Sequence, residues 1–318
     1  MHLAISEDRS GRKKKKAKKA ANSADQIDCT IWDGCPSARC TMPSIVKLQS
    51  PNPETAGAAR HGTLVICALL RDCAGWLDYL GEVCADLGCM FDAVRVVFIE
   101  DGSRDATVRR AARLVDRLGG RLVKLGPDRI RDRLHRTAKL SHLRRRMRAE
   151  AVDEEADWIL MLDADIYFSL ATMNALLASA ARHDGHGLFT AYTYGMRRLF
   201  RVGRHLIARS RGIRERHYFD TFALDIDGIA QTFPHCPFAG CRKCHNNLID
   251  PSAGADLPVR SAFGGLALIR RSVLLESLAD WPLEVEPGRC EHIDFCDALA
   301  RGGIPTYIVT NAHAYCDR

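Results

Sequence analysis

Two aspartates separated by one residue, Asp163-Ala164-Asp165, directly follow the apolar run Trp158-Ile-Leu-Met-Leu162. At the end of a buried strand, carboxylates two apart project toward one edge. Hard oxygen ligands of this kind suit Mg²⁺ or Mn²⁺, and those ions favour phosphate as co-ligand. Such a cation neutralises charge building up on a leaving diphosphate. On spacing alone, the same pair also reads as a loop whose carboxylates cap the next helix. A second acidic loop, Glu100-Asp101-Gly102-Ser103-Arg104-Asp105, follows another apolar run. Asp101 there fits acceptance of a hydrogen bond from a base or ribose. Ser103 reads equally as a donor contact or as a helix N-cap.

The elements that must position these groups follow from periodicity. Residues 63–70 read as a buried strand, 74–87 as a helix and 93–99 as a second strand. A helix over 105–118 is stopped by Gly119-Gly120, and 121–125 is a short third strand. A basic helix over about 136–151 has Leu140, Leu143 and Met147 as its apolar stripe; 158–162 is the fourth strand. Strands alternating with helices imply a mostly parallel central sheet flanked by helices on both faces, a Rossmann-like α/β half. Ligands bind such sheets beyond the carboxyl ends of the strands. Arg71, the 100–105 loop and Asp163–Asp165 all fall at those ends. Beyond them, a helix over 171–182, a strand over 186–194 and a turn-rich stretch over 195–254 are expected. Regular signals resume over 259–269, with helices near 272–278 and 293–301 and a last strand at 306–309.

With these residues in place, the chain resembles glycosyltransferases of the GT-A fold, which pair a strand-end acidic loop with an Asp-x-Asp metal site. Arg136-Thr-Ala-Lys-Leu-Ser-His-Leu-Arg144 resembles the helix before that strand in fungal capsule-associated alpha-1,3-mannosyltransferases. More distantly, it is similar to mannan polymerase-type mannosyltransferases. Tyr218-Phe-Asp-Thr-Phe-Ala-Leu-Asp225, Val259-Arg-Ser-Ala-Phe-Gly-Gly-Leu-Ala-Leu268 and Cys290-Glu-His-Ile-Asp-Phe-Cys296 are similar to three further segments of the capsule family. The resemblance covers roughly 62–318, with 195–255 mostly unmatched. It implies a metal-dependent transfer of a hexose, such as mannose, from a nucleotide diphosphate sugar to a glycan or protein hydroxyl.

The roles that follow are expectations. Asp165, with Asp163, holds the metal, and His313 is placed like a late metal or phosphate ligand, although a lone His also reads as structural. Arg71 meets the nucleotide or phosphate. Arg144 reaches the diphosphate bidentately, or else lies on a solvated face with Arg145, Arg146 and Arg148. Glu291 and Asp294, three apart at a helix start, share one face. Either removes the acceptor proton if the reaction inverts, orients the sugar if it retains, or only complements the helix dipole. Asp220 contacts the donor sugar. Gly264-Gly265 lets the backbone approach the sugar closely, or marks a β-bulge.

One cluster stands apart. In His235-Cys236-x4-Cys241-x2-Cys244-His245, residues Cys236, Cys241, Cys244 and His245 have zinc-knuckle character. Structural Zn²⁺, a disulfide and free thiols are all open readings there.

Composition sets the outer limits. The chain has 318 residues, 47% of them apolar, and a net charge of +7, which excludes fibrous and wholly disordered classes. Eight cationic residues between Arg9 and Lys19 contain no acid, so the rest of the chain sums to −1. Residues 1–60 read as a disordered basic leader able to touch anionic surfaces. Residues 61–318 read as the glycosyltransferase domain, 61–170 binding nucleotide-sugar and 171–318 binding acceptor. No signal peptide or transmembrane segment is seen, which points to a cytoplasmic or peripheral location, and most of the 13 cysteines are expected as reduced thiols. Two other classes compete. A nucleotidyltransferase needs a Gly-rich phosphate loop, which Leu70-Arg71-Asp72-Cys73 is not. A nucleic-acid-binding protein led by the tail needs basic patches on the core as well.

Overall fold

Strand-forming runs and helices alternate along the first part of the domain, and the pattern of buried positions shows why. The structure, a computed structural model, describes residues 44–47, 60–126, 128, 131–196, 199–202, 205–208, 218–226, 229–230, 249, 251, 253–277, 279–286 and 289–317. In order, the elements are β1 (Ser44–Lys47), β2 (Thr63–Leu70), α1 (Ala74–Leu87), β3 (Ala93–Glu100), α2 (Thr107–Leu118) and β4 (Gly120–Lys124). Then come α3 (Arg136–Val152), β5 (Trp158–Asp163), β6 (Ile166–Phe168), α4 (Leu170–Arg182), β7 (Leu188–Met196), β8 (Leu199–Val202) and β9 (His205–Ala208). The last are β10 (Asp225–Ile226), β11 (Ile229–Ala230), β12 (Asp256–Val259), β13 (Leu266–Arg270), α5 (Arg271–Glu276), α6 (Glu291–Arg301) and β14 (Thr306–Asp317).

A nine-stranded sheet runs β12-β14-β7-β13-β5-β2-β3-β4, with β6 paired to β14. The neighbours of β2 are both parallel to it, as are β3 to β4 and β7 to β14. β13, β12 and β6 run against their neighbours. The sheet, expected to be mostly parallel, is mixed: β13 returns antiparallel between β5 and β7. The cause is local. The chain turns at Gly264-Gly265 beside the end of β5 and descends to pair Arg270 with Trp158.

Successive residues of β2 feed two cores, as strand alternation requires. Leu64, Ile66, Ala68 and Leu70 pack with Trp76 and Leu80 of α1, Ala111 and Leu114 of α2, and Met173 and Leu176 of α4. Val65 and Cys67 pack on the other face with Leu143 and Met147 of α3 and Ile293, Phe295 and Leu299 of α6. Leu140, expected in the apolar stripe of α3, is only half-buried.

Three departures from expectation have physical causes. The stretch 259–269 is not one strand: β12 ends at Val259 and β13 begins at Leu266, with Gly264 and Gly265 at positive φ, 64° and 71°, just before β13. The last strand is twelve residues long. A register shift between Val309 and His313 lets the strand run on past Val309, where it was expected to end. Within the leader, Ser44–Lys47 forms a strand antiparallel to β9, consistent with the β-branched Ile45-Val46 pair. No helix among the described residues is long and apolar enough to cross a membrane. The seven described cysteines are all free, and five are buried.

Leu160, 0% exposed in central strand β5, tests this core. Leu160→Ala is expected to lower unfolding free energy in urea by about 2–5 kcal/mol. Leu283→Ala, at a side chain 75% exposed, should stay within about 0.5 kcal/mol of the parent.

Candidate functional site

The carboxyl ends of β5, β2 and β3 gather most of the residues singled out by sequence. At their centre is Arg144, only 4% exposed. α3 turns it inward while its neighbours go elsewhere: Arg145 donates to Trp281 O at 2.6 Å, Arg146 pairs with Glu150, and Arg148 donates to Leu274 O at 3.4 Å. Arg144 Nη2 donates to Asp163 Oδ1 at 3.0 Å, and Nε donates to Glu291 Oε1 at 3.2 Å. Its guanidinium also lies 4.9 Å from the Phe263 ring centroid. Burial alone would lower the Arg144 pKa; the charges of Asp163 and Glu291 outweigh it and hold it above its ordinary value. The solvated-face reading of Arg144 therefore gives way to an internal clamp.

Asp163 ends β5, and Asp165 follows in the turn before β6. Burial of the carboxyl first, and the like charge of Asp163 second, push Asp165 up to about 6. The residue as a whole keeps open surface, so water tempers that shift. Among the described residues no group of three His, Cys, Asp or Glu is set around one metal position. Two mutually repelling carboxylates nevertheless fit Mg²⁺ or Mn²⁺, which are commonly held by one or two carboxylates plus substrate phosphate.

His313 is not beside this pair. The β6–β14 register puts Cys316 opposite Ile166, and Cys316 Sγ donates to Asp165 Oδ2 at 3.5 Å. His313 lies three residues earlier, its ring edge-on to Tyr194 with centroids 5.4 Å apart. Burial lowers its pKa, as for a neutral packed imidazole.

The Gly264-Gly265 turn ties two acidic segments together. Gly264 N–H donates to Asp220 Oδ2 at 3.1 Å, and Asp163 N–H donates to Gly265 O at 2.8 Å. A Cβ on Gly264 would sit 2.5 Å from Ala191 O, and one on Gly265 2.5 Å from Ile166 Cγ1. Close packing, together with positive φ, thus requires both glycines. Asp220 is held against β7, where Phe219 N–H donates to Thr193 O at 2.8 Å. Burial, then the charge of Asp163, pushes its carboxyl up to about 7.

Glu291 and Asp294 do not act on one partner. Glu291 is buried against Arg144, whereas Asp294 accepts from Arg289 Nε at 2.9 Å in a network with Asp297 and Arg260. His292, between them, stacks on Phe263 with centroids 3.8 Å apart. Burial, then the charge of Arg144, drives its pKa well below the ordinary value, so it stays neutral.

Asp101 is the hub of a second cluster. Its Oδ2 meets Arg71 Nη1 at 3.3 Å and Lys139 Nζ at 2.7 Å, and its Oδ1 meets Arg131 Nη2 at 3.2 Å. Arg131 and Lys139 escaped the sequence reading. The one available signal was that the quoted helix segment from Arg136 carries Lys139 five positions before Arg144. Ser103 neither caps a helix nor stands free: its Oγ accepts from Asp72 N–H at 3.1 Å, and its N–H donates to Glu100 Oε1. Acids gather at the end of β5, and three cations gather around Asp101. Cys236, Cys241, Cys244 and His245 lie outside the described residues.

No family model and no curated protein sequence matches the chain. Solved structures do. GalNAc-T7, crystallised with UDP, GalNAc and Mn²⁺, superposes with a TM-score of 0.50 at 12% identity, over 80% of this chain and 43% of that one. TarS of S. aureus matches at 0.48 and 12%, over 80% and 37%. The mannosyltransferase PcManGT of Pyrobaculum calidifontis, with GDP-Man and Mn²⁺, matches at 0.46 and 13%, over 82% and 57%. The chain spans 37% of TarS and 60% of its 1–349 fragment. The architecture is the GT-A α/β fold.

The Arg144 clamp makes a sharp prediction. Arg144→Met strands two carboxylates and is expected to cost about 3–5 kcal/mol of stability. Adding Glu291→Gln should recover part of that loss in the same urea titration.

Proposed function

We propose that this chain is a metal-dependent glycosyltransferase. It moves a hexose from a nucleotide diphosphate sugar to a hydroxyl of a glycan or protein, with residues 61–170 on the donor side and 171–318 on the acceptor side. The polarised strand edge carries this reading: Asp163 and Asp165 stand at one end, and Arg71, Arg131 and Lys139 surround Asp101 at the other. A diphosphate spanning that edge would meet cations at its nucleoside end and an acid pair where the sugar leaves. The fold shared with GalNAc-T7, crystallised with UDP, GalNAc and Mn²⁺, agrees with it. Mannose is the sugar favoured by the resemblance of the 136–144, 218–225, 259–268 and 290–296 segments.

Asp163 and Asp165 would hold Mg²⁺ or Mn²⁺ together with donor phosphate, and that ion, when bound, would supply charge neutralisation for the departing diphosphate. Arg144 fixes Asp163 by donating to one of its carboxylate oxygens. Arg71 is exposed enough to reach the nucleotide while Asp101 orients it. Gly264 and Gly265 line the sugar position with backbone. Asp220, Glu291 and Asp294 are the candidates for taking the acceptor proton.

Calorimetry with Mn²⁺ and a panel of UDP-glucose, UDP-GlcNAc, GDP-mannose and a CMP-sugar tests the reading, beside an Asp165→Ala control. One nucleotide should bind in a metal-dependent way, weakened about tenfold or more in the control, a loss of about 1.4 kcal/mol. Failure of every nucleotide to bind with Mn²⁺ would overturn it.

A further inference from the structure

Asp163 and Asp165 are held in different ways. Arg144 donates to Asp163 Oδ1 at 3.0 Å, whereas Asp165 forms no ion pair among the described residues. The like charge of Asp163 acts against Asp165, so the backbone must keep Asp165 in place. That backbone is the turn into β6.

β6 has one strand partner among the described residues, β14. The polar groups of a strand alternate between its two edges. Asp165 faces β14: its C=O accepts from Asp317 N–H at 3.1 Å, and its Oδ2 accepts from Cys316 Sγ at 3.5 Å. Ile166 and Phe168 face the other edge, where their peptide groups need a partner that no strand provides. α1 supplies it with two side chains. Trp76 Nε1–H donates to Ile166 O at 2.8 Å. The Tyr79 hydroxyl donates to Phe168 O and accepts from Phe168 N–H, the latter at 2.6 Å. Trp76, Tyr79, Ile166 and Phe168 are all buried, so solvent offers these groups no other partner.

Packing alone does not call for these residue types. Trp76 and Tyr79 lie three apart on the buried face of α1 and share one core with Ile166 and Phe168. A phenylalanine at either position would also fill that core. What sets tryptophan and tyrosine apart is the polar tip, and both tips end on the strand that follows Asp165. The far end of β6 is anchored as well: Ser169 caps α4, and Thr172 Oγ1 donates to His313 O at 2.6 Å.

Resting on the metal-dependent reading above, we propose that Trp76 and Tyr79 are positioning residues for the divalent ion. They stand in for a missing strand, fix the peptide groups that follow Asp165, and so keep its carboxylate beside that of Asp163. Neither side chain touches the ion. Their effect on it passes through β6, as groups that orient metal ligands act through those ligands.

Mn²⁺ binding to the full chain is read from the electron paramagnetic resonance signal of free aqueous Mn²⁺, with and without UDP or GDP. The urea midpoint of each metal-free variant is measured beside it. Tyr79→Phe and Trp76→Phe keep the aromatic bulk and remove the polar tip. Each should weaken Mn²⁺ binding about tenfold or more. Leu114→Ala, in the same core but on α2, should lower the urea midpoint and yet bind Mn²⁺ within about twofold of the parent. The two aromatic variants keep the test open should one fail to fold. A folded Tyr79→Phe or Trp76→Phe chain that binds Mn²⁺ within about twofold of the parent overturns the assignment while leaving metal-dependent transfer standing. Equal weakening in Leu114→Ala does the same. A parent chain that binds no Mn²⁺ in either condition overturns both.

Discussion

Everything at the strand edge depends on one buried guanidinium. Arg144 is the cation in contact with both Asp163 and Glu291, and it joins α3 and the end of β5 to the start of α6, far along the sequence. Removing such a charge from water costs several kcal/mol, which only good geometry and hydrogen bonding offset. Arg144 has both, with donors at 3.0 and 3.2 Å and an aromatic face in Phe263. Lysine could not reproduce this, because its point charge cannot direct two fixed N–H groups at two carboxylates. The clamp balances only one of two negative charges. Asp165 and Asp220 stand near this residual acid, and the burial that each undergoes raises its carboxyl above the ordinary value.

The Gly264-Gly265 turn is the second constraint, and it is mechanical. Its positive φ values and the close approach of Ala191 O and Ile166 leave no room for side chains. Backbone polar groups are thereby exposed to both acidic segments, and each is satisfied: one by a carboxylate, the other by an amide. The antiparallel return of β13 between β5 and β7 follows from the same turn. Sheet topology and carboxylate placement therefore have one origin.

Legibility tracked the range of the interactions. α1 matches its expected span, 74–87, because local periodicity alone defines it. The strand ends bearing Arg71, Asp101 and Asp163 were equally plain, as apolar runs that stop abruptly at charge. Partners were not. That Asp101 serves three cations depends on Arg131 and Lys139, which are thirty or more residues away and reach it only through folding. The position of His313 depended on a register shift in β14 that no local pattern encodes. Glu291 and Asp294 share a helix turn, yet Arg144 and Arg289 draw them to different surroundings. Which of two neighbouring acids becomes buried is decided by the cation that the fold brings to each.

The two clusters at the edge are complementary. Around Asp101, three cations converge on one carboxylate, which orients them. Around Arg144 the ratio is reversed. A neutral ligand would gain nothing from such an arrangement, and a simple monoanion would use only one half of it. The group that uses both halves is anionic along its length and carries its own oxygen ligands to a shared cation. A diphosphate has that chemistry, and the proposal of a nucleotide diphosphate sugar rests on this charge pattern more than on any one residue.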